Sequence, residues 1–258
     1  MRKFLFAPIL GGSLLVCSTL AGAAEFSGNI AAEALFFGQS ASSPEQLDSN
    51  LTLSFEPQWT GDWGDGDNSW SSKLFLRADD RDSERNHVDL RELYWLHLNG
   101  DSELRVGINT LFWGVTESQH LVDVVNQVDQ VEGIDGEDKL GQPMIHLKHY
   151  EDWGVVDLLL LPGFRERTFQ SIHGRPRTSL VVDTNAVQYQ SSDEQSHIDY
   201  AFRYSQIFDD LDLGLTCFNG TNRTPILTPA VKTKGLAILL PTYNQMTPLG
   251  SDLQLIVD

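Results

Sequence analysis

A chain of 258 residues, 41% hydrophobic and carrying a formal charge of −18, is long and apolar enough to bury a core or to line a membrane barrel, and too patterned to be disordered. The acid excess excludes nucleic acid as a partner, because phosphate binding needs clustered cations, and it disfavours attachment to anionic lipid surfaces. Beyond the first twenty residues no stretch offers some eighteen consecutive apolar side chains, so no later helical membrane span is expected.

The N-terminus reads as a secretory signal peptide over residues 1–24. Arg2 and Lys3 form a basic start, residues 4–20 an apolar run, and Ala21-Gly22-Ala23 a small-residue cleavage site. A single membrane anchor would be the plainer reading, but Pro8 and Gly11-Gly12 interrupt a run already short for one. A lipoprotein would need Cys17 as the acylated residue, with the bulky Val16 in front of it. Removing residues 1–24 takes away Arg2 and Lys3 and no acidic residue. That leaves 16 basic against 36 acidic side chains, a net charge of −20. Only Cys217 then remains, so no internal disulfide forms.

From Glu25 onward one unit repeats, the period-two alternation of a β-strand with one apolar face. Phe26, Gly28, Ile30, Ala32, Ala34 and Phe36 alternate with Ser27, Asn29, Ala31 and Glu33. Leu51, Leu53, Phe55 and Trp59 alternate with Thr52, Ser54, Glu56 and Gln58, and Trp70, Leu74 and Leu76 with Ser71, Lys73 and Arg77. Residues 88–98 and 103–109 form a hairpin about Asn99-Gly100, read as a type I′ turn. In it Val88, Leu90, Tyr94, Leu96 and Leu98 are expected on one face and Asp89, Arg91 and His97 on the other, with Leu93 and Trp95 breaking the rule. Further strands are expected over 144–150, 155–161, 198–204, 211–217 and 249–257, ten in all.

The connections between these strands alternate long and short. Those over 38–47, 78–87, 110–142, 163–197 and 219–248 are long or moderate; those over 61–68, 99–102, 150–154 and 207–210 are short. A transmembrane barrel does this because its periplasmic turns are tight while its outer loops are free to elaborate. Aromatic residues near strand ends, such as Phe36, Trp59, Trp113, Tyr150 and Trp153, suit an interfacial girdle. The expected fold is an all-β, antiparallel up-and-down transmembrane barrel over residues 25–258. A soluble β-sandwich is the competing architecture.

The run L-R-V-G-I-N-T-L-F-W-G-V-T-E-S (104–118), with D-V-V-N-Q-V-D (123–129), G-E-D-K-L-G-Q-P-M-I (136–145) and L-L-P-G-F-R-E-R-T-F (160–169), resembles a porin-like group of functionally unassigned proteobacterial outer-membrane proteins. The resemblance covers most of the chain after residue 24, and its motifs are not catalytic signatures. It implies a barrel, an outer-membrane address, insertion by the barrel-assembly machinery and contact with the lipid bilayer. Because the group is longer and its last strand ends in an aromatic residue, it also implies that these 258 residues are the N-terminal part of a longer chain.

The long connection 110–142 holds Glu117, Asp123, Asp129, Glu132, Asp135, Glu137 and Asp138 against Lys139. Leu121, Val124, Val125 and Val128 have helical spacing, so a short amphipathic helix is expected within it. The next long connection is basic, with Arg165, Arg167, Arg175 and Arg177 around Glu166. Facing each other across a pore, the two would set a transverse field that selects polar solutes; the plainer alternative is two solvated surface loops. Lumen and constriction candidates are therefore Glu117, Asp123, Asp129, Glu132, Asp135, Arg165 and Arg167, with Arg91 and Arg105 on the wall. Arg77 and Arg203 are expected to face the lumen with them, and Leu51, Leu53, Leu74, Leu76, Leu96 and Val106 to face lipid.

No metal or cofactor pattern stands out. Asp62, Asp65 and Asp67 lack the spacing and closing Glu of a calcium loop, and His146 and His149 are three apart on a strand, facing opposite sides. Ser118, His120 and Asp123 are hydrolase residue types without a nucleophile elbow to position them. The expected function is a non-enzymatic porin-like channel for small polar solutes. A barrel hydrolase and a secreted soluble sandwich or adhesin are the alternatives.

Overall fold

The computed structural model of the protein describes residues 18–20, 24–113, 122–133, 135–232 and 235–255. A single antiparallel meander organises them. Strands β1 (Ser18–Leu20), β2 (Ala24–Phe36), β3 (Ser49–Trp63), β4 (Asn68–Asp79), β5 (His87–Asn99), β6 (Ser102–Asn109), β7 (Gln142–Glu151) and β8 (Gly154–Pro162) pair in chain order. After β9 (Gln188–Tyr189), β10 (Ile198–Phe208) pairs with β8 and β11 (Leu211–Thr221) with β10. A side hairpin of β12 (Ile226–Val231) and β13 (Ala237–Tyr243) takes β9 as a parallel neighbour. The chain then returns to β11 through β14 (Gln245–Met246) and β15 (Leu249–Leu255). Twelve strands make the large sheet, and all ten segments expected from the alternation are among them. Its end strands β1 and β15 do not pair with each other among the described residues, so the sheet is open. Residues 18–20, within the expected signal peptide, pair with the start of β2; the rest of residues 1–23 lies outside the described residues.

The connections sort to two ends. Residues 64–67, 100–101, 152–153 and 209–210 turn tightly at one end, and the connections 37–48, 80–86, 110–141, 163–197 and 222–248 occupy the other. Gly64, Asp65 and Gly66 take positive φ in the first tight turn, the conformation that Gly and Asp adopt most cheaply. The β5–β6 turn is Gly100-Asp101, with Asn99 paired to Ser102 and positive φ at Gly100 but not at Asn99 or Asp101. That is the pattern of a type II′ turn and corrects the expected type I′.

The sheet has a bare face and a face covered by the long connections. In β2, β3 and β4 the alternation divides cleanly. Phe26, Ile30, Leu51, Leu53, Phe55, Leu74 and Leu76 fall on the bare face, and Glu33, Thr52, Glu56, Lys73, Phe75 and Arg77 on the covered one. Strand β5 does not, because it carries a β-bulge. Lys73 pairs with Glu92 but Leu74 pairs with Leu90, leaving Arg91 as the extra residue. A one-residue excess reverses the parity of everything beyond it. Val88 and Leu90, then Leu93, Trp95 and His97, share the bare face; Asp89 and Arg91, then Glu92, Tyr94 and Leu96, share the covered one. Leu96, expected toward lipid, therefore stands beside Arg105 on the charged face, and His97 stacks on Trp95 with ring centroids 5.7 Å apart on the bare one.

The connection after β6 contains no helix among its described residues, which corrects the expected one; Leu121 lies outside them. Residues 122–133 bond across the loop instead of along it: Asp129 N–H donates to Asp138 O (2.8 Å) and Leu140 N–H to Gln127 O (2.8 Å). The helical spacing of Val124 and Val125 comes from side chains turned into a small core on the covered face. Trp113, Val125, Met144, Leu159, Leu161, Ala201 and Phe218 meet there, joined by Val122 and Val124.

Candidate functional site

Across the covered face runs a belt of charge that alternates in sign. In sheet order it comprises Glu56, Lys73, Glu92, Arg105, His146, Asp157, Arg203 and Asp252. Register places these side chains on one face, with Arg105 opposite His146 and Arg203 opposite Asp157. Neighbours hold each other. Lys73 pairs with Glu56 (3.2 Å), His146 with Asp157 (2.6 Å), and Arg203 grips Asp252 through two bonds of 2.7 and 2.8 Å. Arg105 lies over the Tyr94 ring at 4.8 Å. Each pairing fixes a long side chain flat against the wall.

The acidic connection folds onto this wall and is fastened by arginines from it. Arg91, unpaired in the ladder because of the bulge, reaches Asp89 (3.0 Å), Asp129 and the carbonyl of Lys139 (2.7 Å). Arg77 bridges Glu33 (3.0 Å) and Glu132 (2.6 Å). Arg85, in a 3-10 turn over Ser83–Arg85, holds Asp79 (3.1 Å) and the carbonyl of Val131 (2.8 Å). Thr168, from the second long connection, donates to Asp129 Oδ1 at 2.6 Å. His87 completes the cluster with Nε2 at 3.4 Å from Asp129 Oδ2 and 3.5 Å from Glu132 Oε1.

Burial pushes the Asp129 carboxyl upward, but His87, Arg91 and Thr168 together outweigh it and hold the group down at about 2. In Glu132 burial wins. Against the pull of Arg77, and with the Asp129 charge adding to it, this carboxyl is pushed up to about 7.

The expected constriction residues are thus only partly brought together. Asp129, Glu132 and Arg91 meet in one cluster, while Asp123 is paired separately with Lys139 at 3.0 Å. Asp135 is exposed and accepts the Glu137 N–H, as a turn residue does. Glu117 lies outside the described residues, as do Ser118 and His120. Arg165 does not face the acidic loop across a gap. It bonds Asp89 (2.6 Å) and the Gly141 carbonyl (2.9 Å), while Arg167 reaches Gln127 Oε1 and Thr224 Oγ1 (both 3.3 Å). The two long connections therefore touch through hydrogen bonds, Arg165 to the Gly141 carbonyl, Arg167 to Gln127 and Thr168 to Asp129, while their ion pairs run to the wall, Arg165 to Asp89, Arg91 to Asp129 and Arg77 to Glu132. Between wall and loop remains a polar cavity of about 300 Å³, lined by Glu56, Lys73, Phe75, Arg91, Glu92 and Lys139 among others.

Sequence reasoning missed His87, Arg85, Asp89 and Glu33, and also the buried pair of Arg223 and Asp199 (2.6 Å) beneath the second connection. The available signal was a strand face rich in both signs of charge, which water alone does not require. A search of protein-family models, of curated proteins and of solved structures found no match to this chain.

Proposed function

We propose that this chain forms the wall of an outer-membrane β-barrel that conducts small polar solutes, with residues 122–141 strapped across its inside. The observation that carries the reading is the inversion of the sheet. A soluble sandwich packs its apolar face against a second layer and leaves charge to water. Here the charged face is the covered one, and the opposite face is apolar and bare: Leu51, Leu53, Leu93, Trp95, Leu158, Tyr200 and Leu253 are all exposed on it. Moving the exposed half of each such side chain from water into hydrocarbon is worth about 1 kcal/mol, so a bilayer is the solvent this face fits. Strand length agrees. Eleven residues, as in β10 and β11, rise about 36 Å and cross about 26 Å when tilted by about 45°, close to the apolar band of such barrels.

Closure of the wall into a barrel, the outer-membrane address and the solute class all belong to this proposal. The alternating belt supports a wet interior, because Lys73 and Glu56 stay about a third exposed, and charges cost little beside water and a great deal in hydrocarbon even when paired. The test is reconstitution of the full chain in planar bilayers. Stepwise conductance that scales with salt is the expected result; a protein that stays soluble without detergent, or gives no conductance at any salt, refutes the proposal.

A further inference from the structure

We propose that His87, Asp129 and Glu132 bind a divalent transition-metal cation that fastens the connection 122–141 to strand β5. The His87 Nε2 lies 3.4 Å from Asp129 Oδ2 and 3.5 Å from Glu132 Oε1, and the three ligand atoms all fall within 4.8 Å of one another. These separations are longer than the roughly 2.7–3.2 Å of a well-formed hydrogen bond. They suit ligands sharing one ion: tetrahedral bonds of about 2.0–2.1 Å put neighbouring donor atoms about 3.3–3.4 Å apart.

The polar accounting points the same way. Both ring nitrogens of His87 and Oε1 of Glu132 are buried without a hydrogen-bond partner among the described residues. The Glu132 side chain is 4% exposed, and a buried carboxylate oxygen aimed at an imidazole and bonded to nothing needs an explanation. Its other oxygen is held by Arg77, while Asp129 is held by Thr168 and Arg91. Bonds of this kind orient ligands from outside a metal site. Charge also leaves room for a cation. The network joins the carboxylates of Glu33, Asp79, Asp89, Asp129 and Glu132 with the guanidinium groups of Arg77, Arg85, Arg91 and Arg165. With Glu132 ionised, anions exceed cations by one there, with the carboxylate of Asp138 also acting on Arg91 and Asp129. One imidazole and two carboxylates select zinc, manganese or iron over the all-oxygen preferences of calcium and magnesium. Metal binding at this cluster does not require the chain to form a channel.

The full-length protein, folded in detergent and stripped by a chelator, is titrated with zinc chloride by calorimetry. One zinc per chain is expected. Binding should weaken at least about 100-fold in His87→Gln and in Glu132→Gln and stay unchanged in Asp135→Asn. Zinc should also slow proteolysis of the segment 122–141 in the wild type, a readout that survives if a variant fails to fold. Absence of stoichiometric zinc from the folded wild type overturns the proposal, as does equal binding in both ligand variants. Protection of the segment that follows pH but not zinc also overturns it, making a proton the occupant.

Discussion

Replacing Arg91 by methionine tests whether the acidic connection is held by charge or merely lies against the wall. Arg91 is 8% exposed and holds two buried carboxylates, Asp89 and Asp129, besides the Lys139 carbonyl. Removing one partner of a buried ion pair costs about 3–5 kcal/mol, because the other charge is left stranded. Asp89 keeps Arg165 and Asp129 keeps Thr168, which argues for the lower end. Loss of the guanidinium over the Phe75 ring at 4.7 Å adds about 0.5–1 kcal/mol. The expected loosening is thus about 3–4 kcal/mol, or roughly 150- to 900-fold in the opening equilibrium. Hydrogen exchange reads it directly at two amides that bond across the loop, Asp129 N–H to Asp138 O and Leu140 N–H to Gln127 O. Adding Asp129→Asn to the variant should recover part of the loss by removing the stranded charge. An increase in exchange below about fivefold, or no recovery in the double variant, would refute the reasoning.

Two further outcomes follow from the same geometry. Gly107→Ala should lower stability by more than about 2 kcal/mol, since a Cβ there would lie 2.1 Å from the Leu93 carbonyl at a φ of +140°. Gly100→Ala, which meets nothing within 4 Å, should cost only the roughly 1 kcal/mol of its left-handed backbone; urea midpoints compare the two. In metal-free protein, pH should act through Glu132. Its folded pKa of about 7 lies above the unfolded value of about 4.3, so its contribution is fully present below pH ~4.3 and lost as pH rises through ~7. Asp129, held down at about 2, works in the opposite sense: its contribution is present above pH ~4 and lost as pH falls through ~2. The summed contribution of these two groups should therefore be greatest near pH ~4. Glu132→Gln should flatten the decline on the alkaline side, as followed by thermal unfolding across pH.

The strands were legible because alternation is a local property. Each expected segment needed only its own residues, and the tight turns announced themselves through Gly64, Gly100 and their neighbours. Alternation failed inside β5 for an equally local reason that could have been read. Leu93 and Trp95 break the pattern set by Val88 and Leu90, and one extra residue at Arg91 repairs it. Charge on the wall was legible too, but its partners were not. Arg91 meets Asp129 only because a connection folds back over the sheet, and spacing along the chain carries no trace of that return. The same holds for His87, whose ligand-like neighbours come from a loop more than forty positions away. The expected helix was a misreading of burial as periodicity. Val124 and Val125 turn toward the core with Trp113 and Phe218, and the described residues 122–133 form no helix.

The fastening of the two long connections has a consequence in time as well as in space. Two-residue turns close within microseconds, whereas the bonds that pin the loops join distant parts of the chain: Arg91 to Asp129 across 38 positions, Arg165 to Asp89 across 76 and Gln46 to the Gly174 carbonyl across 128. Closing such loops repays its entropy only once the intervening hairpins exist. The meander is therefore expected to assemble first, with its charged face still hydrated, and the lock to follow. Until that moment the unpaired arginines and carboxylates keep the charged side of the sheet in contact with water. The network that ends as a clamp thus begins as the chain's own solubilising device.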